Sequence, residues 1–432
     1  MNEIEAVGAE AVLSAIPPRE SSASDRPERP ERPWIFGFLI APSAVVANGV
    51  IQGGVLAFLL SQQGIGSKAQ SHLISLLALP TMLYFLWSPI TDFFVKRRTW
   101  LLAGSLLSAV LMALGFHQND LTSRNSLLLI LLSACLCQLV VSSCGGMMGA
   151  LRSERTKRVA GSFYQAGSMG LGALSVSVLI WLSPRVSRDV LGLAAAALIA
   201  LPALFALAAP QQDEIHTGSF GRTMRNVWLE FKATFFRWEA IPYTLCMTFP
   251  IASGAAVGLI PGVARSYGVS GDNVAWMNGL LGGLLTAAGS LAGAALPARI
   301  SAPVIYLSVA IVNSATLAVL WLGPMTPATY YLGVMLYLFT VGTAYGLFTA
   351  VVLEFLGASG KSGCGRYSII NSLGNIPVLY MIIVDGWGAG RWGARGLAGS
   401  ECVVGGLGAA LLLSYFLLRK KQGSVSQVIG PS

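Results

Sequence analysis

The feature that most constrains this chain is a series of apolar stretches, each about 20 residues long, that runs from residue 35 to residue 418. A helix of about 20 residues is long enough to cross roughly 30 Å of hydrocarbon. Hydrophobic residues make up 54% of the chain and charged residues only 11%, against about 25% charged residues in a soluble domain. The stretches therefore predict an all-α membrane protein. They do not fit a transmembrane β-barrel, whose segments alternate polar and apolar residues over roughly ten positions.

The apolar pattern predicts twelve spans. Their expected ranges are 35–61, 69–90, 99–117, 126–149, 160–182, 189–209, 241–264, 273–296, 303–322, 329–355, 367–385 and 398–418. With both termini on one side, 21 of the 28 Lys and Arg residues fall in segments on that side and 7 fall opposite. Basic residues mark cytoplasmic loops. We therefore expect both termini in the cytoplasm. The expected location of this multi-pass protein is a bacterial inner membrane.

A polar stretch after the sixth span divides the chain into two sets of six. We expect a disordered cytoplasmic tail (1–33), an N-terminal six-helix bundle (34–209), a cytoplasmic linker (210–240), a C-terminal six-helix bundle (241–418) and a short cytoplasmic tail (419–432). Aromatic residues recur at helical spacing in the linker, which predicts an amphipathic helix on the membrane surface.

The two halves also resemble each other in sequence. Gly161-Ser-Phe leads to Ser-Met-Gly170, and 204 residues later Gly365-Arg-Tyr leads to Ser-Leu-Gly374. With equal span counts, this match predicts two pseudo-symmetric six-helix bundles, a plan common among secondary transporters.

Catalytic and cofactor sites are not indicated. The three histidines stand apart from any Cys, Asp or Glu set with metal-ligand spacing. The glycine-rich segments 357–365 and 385–396 lack the preceding strand that a nucleotide-binding loop needs. We expect no enzyme activity, no cofactor, no metal and no nucleic-acid partner, with a membrane-embedded transferase as the alternative from another class.

Polar residues inside the predicted spans are candidates for lining a substrate cavity, because they are costly in lipid. Several are four positions apart and so share a helix face. The candidates are Asn48, Gln52, Gln138, Ser142, Gln165, Asn278, Tyr345, Tyr367, Asn371 and Asn375. Each residue has a structural alternative, a hydrogen bond between helices. As a set they predict an uncharged cavity for a polar, hydrogen-bonding solute.

Acidic residues are expected only near the ends of the spans. Glu154, Glu354 and Asp385 are the candidates for proton coupling, and Glu401 is expected at an outer span end. The segment DGWGAGRWGARG (385–396) is expected to be an outer loop between the last two spans.

The turn after the second span carries a cluster of charges. Asp92 is followed by Lys96, Arg97 and Arg98, and positive-inside counting places this turn in the cytoplasm. We expect Asp92 to dock on the free N–H groups of the helix start near residues 362–366, including Arg366. These five residues form the predicted gate.

This turn carries a family resemblance. Ser88-Pro-Ile-Thr-Asp92 followed by Lys96-Arg97-Arg98 resembles G-x-x-x-D-[RK]-x-G-R-[RK], the signature of the major facilitator superfamily. FLWSPITD followed by RRTWLL, and the tract GRYSIINSLGNIP (365–377), are similar to the branch that holds the AmpG-type muropeptide permeases and acetyl-CoA transporters. Some siderophore-uptake permeases look much the same.

The resemblance implies a monomeric transporter in which two bundles rock around a central site. We expect proton-coupled uptake of a muropeptide-like or siderophore-like solute, with acetyl-CoA or another anionic metabolite as the alternative. The expected partners are this small molecule, the lipid bilayer and the proton.

Overall fold

The computed structural model describes most of the chain between residues 32 and 428. The described ranges are 32–118, 120–149, 151, 154–209, 235–294, 301–357 and 372–428, with a few positions between 221 and 232. They belong to one compact unit. The predicted N-terminal tail lies almost wholly outside the described residues, and the linker is described only in part.

Twelve membrane helices follow one another along this unit. They are α1 (Ile35–Gln62), α2 (Ser67–Leu86), α3 (Arg97–His117), α4 (Arg124–Gly149), α5 (Glu154–Leu182), α6 (Arg188–Ala208), α7 (Ile241–Thr248 and Ala255–Val263), α8 (Gly271–Gly293), α9 (Ala302–Leu322), α10 (Pro327–Gly357), α11 (376–391) and α12 (394–428). Within the described residues, ten helices are long and apolar enough to cross a membrane. One of these ten covers both α11 and α12, and α7 is excluded because it is broken. The predicted count of twelve spans is confirmed.

The last two spans form a tight helical hairpin. Helical structure is interrupted at Trp392 and at Gly393, whose φ is 67°. A Cβ on Gly388 would lie 2.6 Å from the carbonyl oxygen of Gly396, whereas eight residues of straight helix span about 12 Å. The chain therefore reverses at residues 392–393. The predicted outer loop was wrong, because the glycines of this segment allow two helices to approach closely. Asp385 consequently lies inside α11.

The first helix of each half is interrupted near its middle. In α1, a π-helical stretch (Ala44–Ile51) ends in a bend, and the α-helix resumes after Gly54, whose φ is 99°. In α7, the helix stops at Thr248 and resumes after Gly254, whose φ is 74°. Glycine adopts such left-handed conformations without steric cost. The two glycines are 200 positions apart, so the interruptions recur at nearly the same offset as the sequence repeat.

The two halves pack against each other along α1 and α7. A Cβ on Gly258 would lie 2.7 Å from the carbonyl oxygen of Gln52, and one on Gly54 would overlap with Pro261. Small residues spaced four apart, as in Gly258 and Gly262, thus bring the backbones of opposite halves together.

The halves also meet at the far end of the bundle, defined here as the end where α1 finishes and α2 begins. A Cβ on Gly386 of α11 would overlap with Ser71 of α2. Between α5 and α6, Arg185 forms an ion pair of 2.8 Å with Asp272 of α8. The far end is therefore closed by contacts between the halves.

Candidate functional site

The break in α7 is the centre of a polar cluster in the second half. Residues 249–254 leave the helix, so carbonyl oxygens that would accept intrahelical hydrogen bonds need other donors. Three tyrosine hydroxyls supply them: Tyr306 of α9 donates to Ile251 O (3.0 Å), Tyr345 of α10 to Ser253 O (3.1 Å) and Tyr380 of α11 to Thr248 O (2.9 Å). The break is thereby fixed by three neighbouring helices.

Two carboxyl groups lie next to this break and are buried. Asp385 of α11 is 0% exposed and Glu401 of α12 is 3% exposed. Oε1 of Glu401 accepts hydrogen bonds from Ser253 Oγ (2.8 Å) and Tyr337 OH (3.2 Å). Oδ1 of Asp385 accepts one from Ser400 Oγ (2.8 Å). The two carboxyl groups also interact with each other.

This pair corrects the expectation that acids lie only near span ends. The hairpin turn at residues 392–393 places both carboxyl groups within helices and away from solvent. Asp385 was identified from the sequence as a proton-coupling candidate, whereas Glu401 was assigned to an outer span end. The side chains of the other two candidates, Glu154 and Glu354, lie outside the described part of the structure.

Three predicted cavity residues make hydrogen bonds between helices near the break in α1. Asn48 donates to Ser168 Oγ of α5 (3.0 Å). Gln52 donates to Thr81 Oγ1 of α2 (3.4 Å), and Asn375, at the start of α11, donates to the carbonyl oxygen of Thr81 (3.2 Å). Thr81 thus joins α1, α2 and α11 across the two halves. Hydrogen bonds between helices are the structural alternative to substrate binding that the sequence left open for each of these residues.

Of the other seven predicted cavity residues, Tyr345 donates to the backbone at the break in α7, and the rest lie elsewhere in the chain. Asn278 of α8 is buried, and its Oδ1 accepts a hydrogen bond from Tyr330 OH (2.7 Å). Ser142 of α4 donates to the carbonyl oxygen of Ser88 (2.9 Å), and Gln138 is buried one turn earlier. The remaining three are Gln165, which is exposed on α5, and Tyr367 and Asn371, which lie outside the described residues. A substrate-binding role for the set stays a prediction.

The predicted gate is described only in part. Arg97 donates to the carbonyl oxygen of Gly146 (2.8 Å), which ties the start of α3 to α4 within the first half. Lys96 precedes the first turn of α3 and Arg98 lies within it, and both are half-buried. The side chain of Asp92 and the whole of Arg366 lie outside the described part of the chain, so the latch between them stays a prediction.

Outside the polar cluster, the described part of the chain has a cavity at its surface. Among the described residues, no group of three or more His, Cys, Asp and Glu side chains is placed to hold a metal ion. A cavity of about 710 Å³ opens at the far end and is lined in part by Lys68, His72, Trp387 and Arg391. It lies at the surface between α2 and α11, and is separate from the break in α7.

Comparison with known proteins supports the fold. No protein-family model matches the chain, and no curated protein matches it by sequence. The structure is similar to the crystal structure of a point mutant of the nucleoside transporter NupG, with a TM-score of 0.65 and 12% sequence identity over 90% of this chain and 99% of that one. The chain therefore has the major facilitator fold, as the sequence resemblance implied. The finer resemblance to AmpG-type permeases stays a prediction.

Proposed function

We propose that this protein is a secondary active transporter that moves a polar organic solute by alternating access. The observation that carries the proposal is the pair of interrupted helices, α1 and α7, which meet where the halves pack. In transporters built from repeats, interrupted helices at the repeat interface form the substrate and ion sites. The likeness to a nucleoside transporter adds support for the same architecture.

Charge and packing together indicate which side of the membrane the closed end faces. The excess of basic residues in segments next to the termini favours a cytoplasmic location for both termini. The closed far end then faces outward. In alternating access, closure of the outer side precedes release of the solute to the cytoplasm, and we propose uptake as the direction of transport.

The proposed solute class rests on the side chains around the break in α1 and on the placement of the basic residues. The polar residues at the break in α1 are neutral amides and hydroxyls (Asn48, Gln52 and Thr81). The described spans carry Lys and Arg near their ends. This distribution favours a muropeptide-like or siderophore-like solute over acetyl-CoA, whose phosphates call for basic partners. We propose that protons drive the uptake, with Asp385 in the coupling site.

Reconstitution tests this proposal. The purified chain in liposomes should take up labelled anhydromuropeptide or a ferric siderophore in preference to acetyl-CoA or a nucleoside, and a protonophore should abolish accumulation. Gly258→Leu should abolish uptake because its side chain collides with the backbone of α1. Gly170→Leu is the matched control, since a Cβ there meets no atom within 4 Å. Equal uptake with and without a pH gradient would contradict proton coupling. Preferred uptake of acetyl-CoA would contradict the solute class.

A further inference from the structure

Two acidic side chains meet in the interior of the second half. Asp385 and Glu401 are almost completely buried, and their carboxyl groups interact. An ionised carboxylate in an apolar interior is costly, and two adjacent carboxyl groups do not both ionise because like charges repel. The pair therefore needs a positive partner.

The surrounding side chains do not supply that partner. Besides the serines already described, the polar groups near enough to interact electrostatically with the pair are the hydroxyls of Tyr337, Tyr345 and Tyr380 and the thiol of Cys402. They come from α10, α11 and α12.

Charged side chains on neighbouring elements point elsewhere. On α2, which packs against α11, Lys68 and His72 are exposed at the far end. On the hairpin, Arg391 lies over the ring of Trp392, and Arg395 donates to the carbonyl oxygen of Gly323. Among the described residues, no Lys, Arg or His forms an ion pair with either carboxyl group.

The hydrogen bonds of the pair leave one oxygen of each carboxyl group without a donor. Oδ1 of Asp385 and Oε1 of Glu401 accept hydrogen bonds from hydroxyls. Oδ2 of Asp385 and Oε2 of Glu401 are buried and have no donor. A proton on either of these two oxygens makes its own carboxyl group a donor and leaves the other as the acceptor. It also reduces the charge of the pair from two to one.

The charge that remains is stabilised at the break in α7. The backbone N–H of Ala255 donates to Ser253 Oγ (3.1 Å), and Ser253 Oγ in turn donates to Glu401. Ala255 begins the second piece of α7, whose positive N-terminal end favours a negative charge. We propose that Asp385 and Glu401 form a proton-binding site that holds one shared proton beside the break in α7.

This site lies close to the contact between the halves. The piece of α7 that begins at Ala255 also carries Gly258, which packs on Gln52 of α1. A change in the protonation of Glu401 alters the hydrogen bond that holds Ser253, and so acts on the helix that contacts the other half. This use of the site in transport rests on the proposed function, whereas the shared proton does not.

Infrared spectroscopy of the full-length chain in lipid vesicles at neutral pH, with no solute added, tests the shared proton. The wild-type chain should show the C=O stretching band of a protonated carboxyl group. Asp385→Asn and Glu401→Gln should each remove that band, because the amide NH₂ donates in place of the proton and leaves the other carboxyl group ionised. Asp189→Asn should keep the band, because Asp189 is an exposed partner of His117. A band that survives in both amide variants would overturn the proposal.

Two further measurements use the unaltered chain. A hydrophobic carbodiimide, which reacts with protonated carboxyl groups, should label the peptide that carries Asp385 or Glu401, and labelling confined to other acids would refute the site. A different outcome is loss of the infrared band on addition of NaCl but not of choline chloride. That result would show that the site binds a sodium ion in place of the proton, and it would overturn the assignment. If the infrared result holds while solute uptake ignores the pH gradient, the proposed coupling is wrong and the site stands.

Discussion

Replacing Gly386 of α11 by alanine tests whether the packing of α11 on α2 keeps the far end closed. A Cβ at this position would overlap with both the hydroxyl and the Cβ of Ser71, and would lie 3.2 Å from the carbonyl oxygen of Ser67. The hydroxyl can rotate away, but the Cβ of Ser71 moves only with its backbone. The two helices must therefore separate at this point.

The size of the effect follows from the cost of overpacking. An extra methyl group in a well-packed contact costs about 1–3 kcal/mol. The contact between Gly386 and Ser71 joins opposite halves, so the penalty falls on the state in which the far end is closed. Since each 1.4 kcal/mol is a factor of ten, the ratio of closed to open molecules should fall by about 5- to 150-fold.

Distances between spin labels on the two halves measure this ratio. Asn125 at the start of α4 and Met325 between α9 and α10 are exposed at the far end, and labels there require replacement of the six native cysteines. Gly386→Ala should enlarge the long-distance population. Ser71→Gly in the same chain should reverse the change, because it removes the Cβ that collides.

Gly170→Ala is the control for this experiment, since it adds the same methyl group where no atom lies within 4 Å. The reasoning fails if Gly386→Ala leaves the distance distribution of the parent unchanged. It also fails if Ser71→Gly does not rescue a shift that Gly386→Ala produces.

Two further substitutions probe weaker and stronger contacts. Arg185→Ala removes the ion pair with Asp272, which is partly exposed. It should change the closed-to-open ratio by less than about fivefold, because exposed pairs contribute about 0–1 kcal/mol, and a larger change that persists in high salt would contradict this estimate. Tyr306→Phe leaves the buried carbonyl oxygen of Ile251 without its donor and should destabilise the fold by about 1–3 kcal/mol. Its thermal midpoint should fall below that of Ser308→Ala, in which an exposed hydroxyl bonded within its own helix is lost, and equal midpoints would contradict the role of Tyr306.

The membrane spans themselves were predictable from the sequence. The first predicted span, 35–61, matches Ile35–Gln62, and the ninth, 303–322, matches Ala302–Leu322. Hydropathy is a local property, and lipid requires each crossing segment to satisfy its own backbone within a helix. Length and apolarity therefore decide these elements without knowledge of their neighbours.

Prediction of the buried acid pair would have required the hairpin between α11 and α12, a feature that hydropathy does not report. Glycines at alternating positions between Asp385 and Gly396 are typical of a loop, and in the structure they allow α11 and α12 to approach each other. One signal was present in the sequence: Asp385 and Glu401 each stand eight positions from Gly393. If Gly393 is taken as a hairpin turn, residues at equal distances from it lie at about the same level of the two helices.

The interruptions of α1 and α7 were also missed. Gly54 belongs to a Gly-Gly pair and Gly254 to a repeat of glycines four apart, a pattern that predicts close helix packing. Gly54 and Gly254 do pack closely against their neighbours, but their positive φ values belong to the bends in α1 and α7. Their recurrence 200 positions apart was the available clue, because a duplicated chain repeats its backbone breaks along with its spans.

The duplication of the six-helix unit allows the acid pair to be compared with the matching positions of the first half. At the offset of 204 residues that relates the two halves, Trp181 and Ala197 occupy the positions that correspond to Asp385 and Glu401. The first half thus has an interrupted helix without buried acids at the matching places, and its polar contacts there are made by neutral amides. Since both halves share one architecture, the difference between them at the interrupted helices lies in their side chains. We therefore expect the proposed proton site of the second half to act on the first half through the packing of α1 on α7.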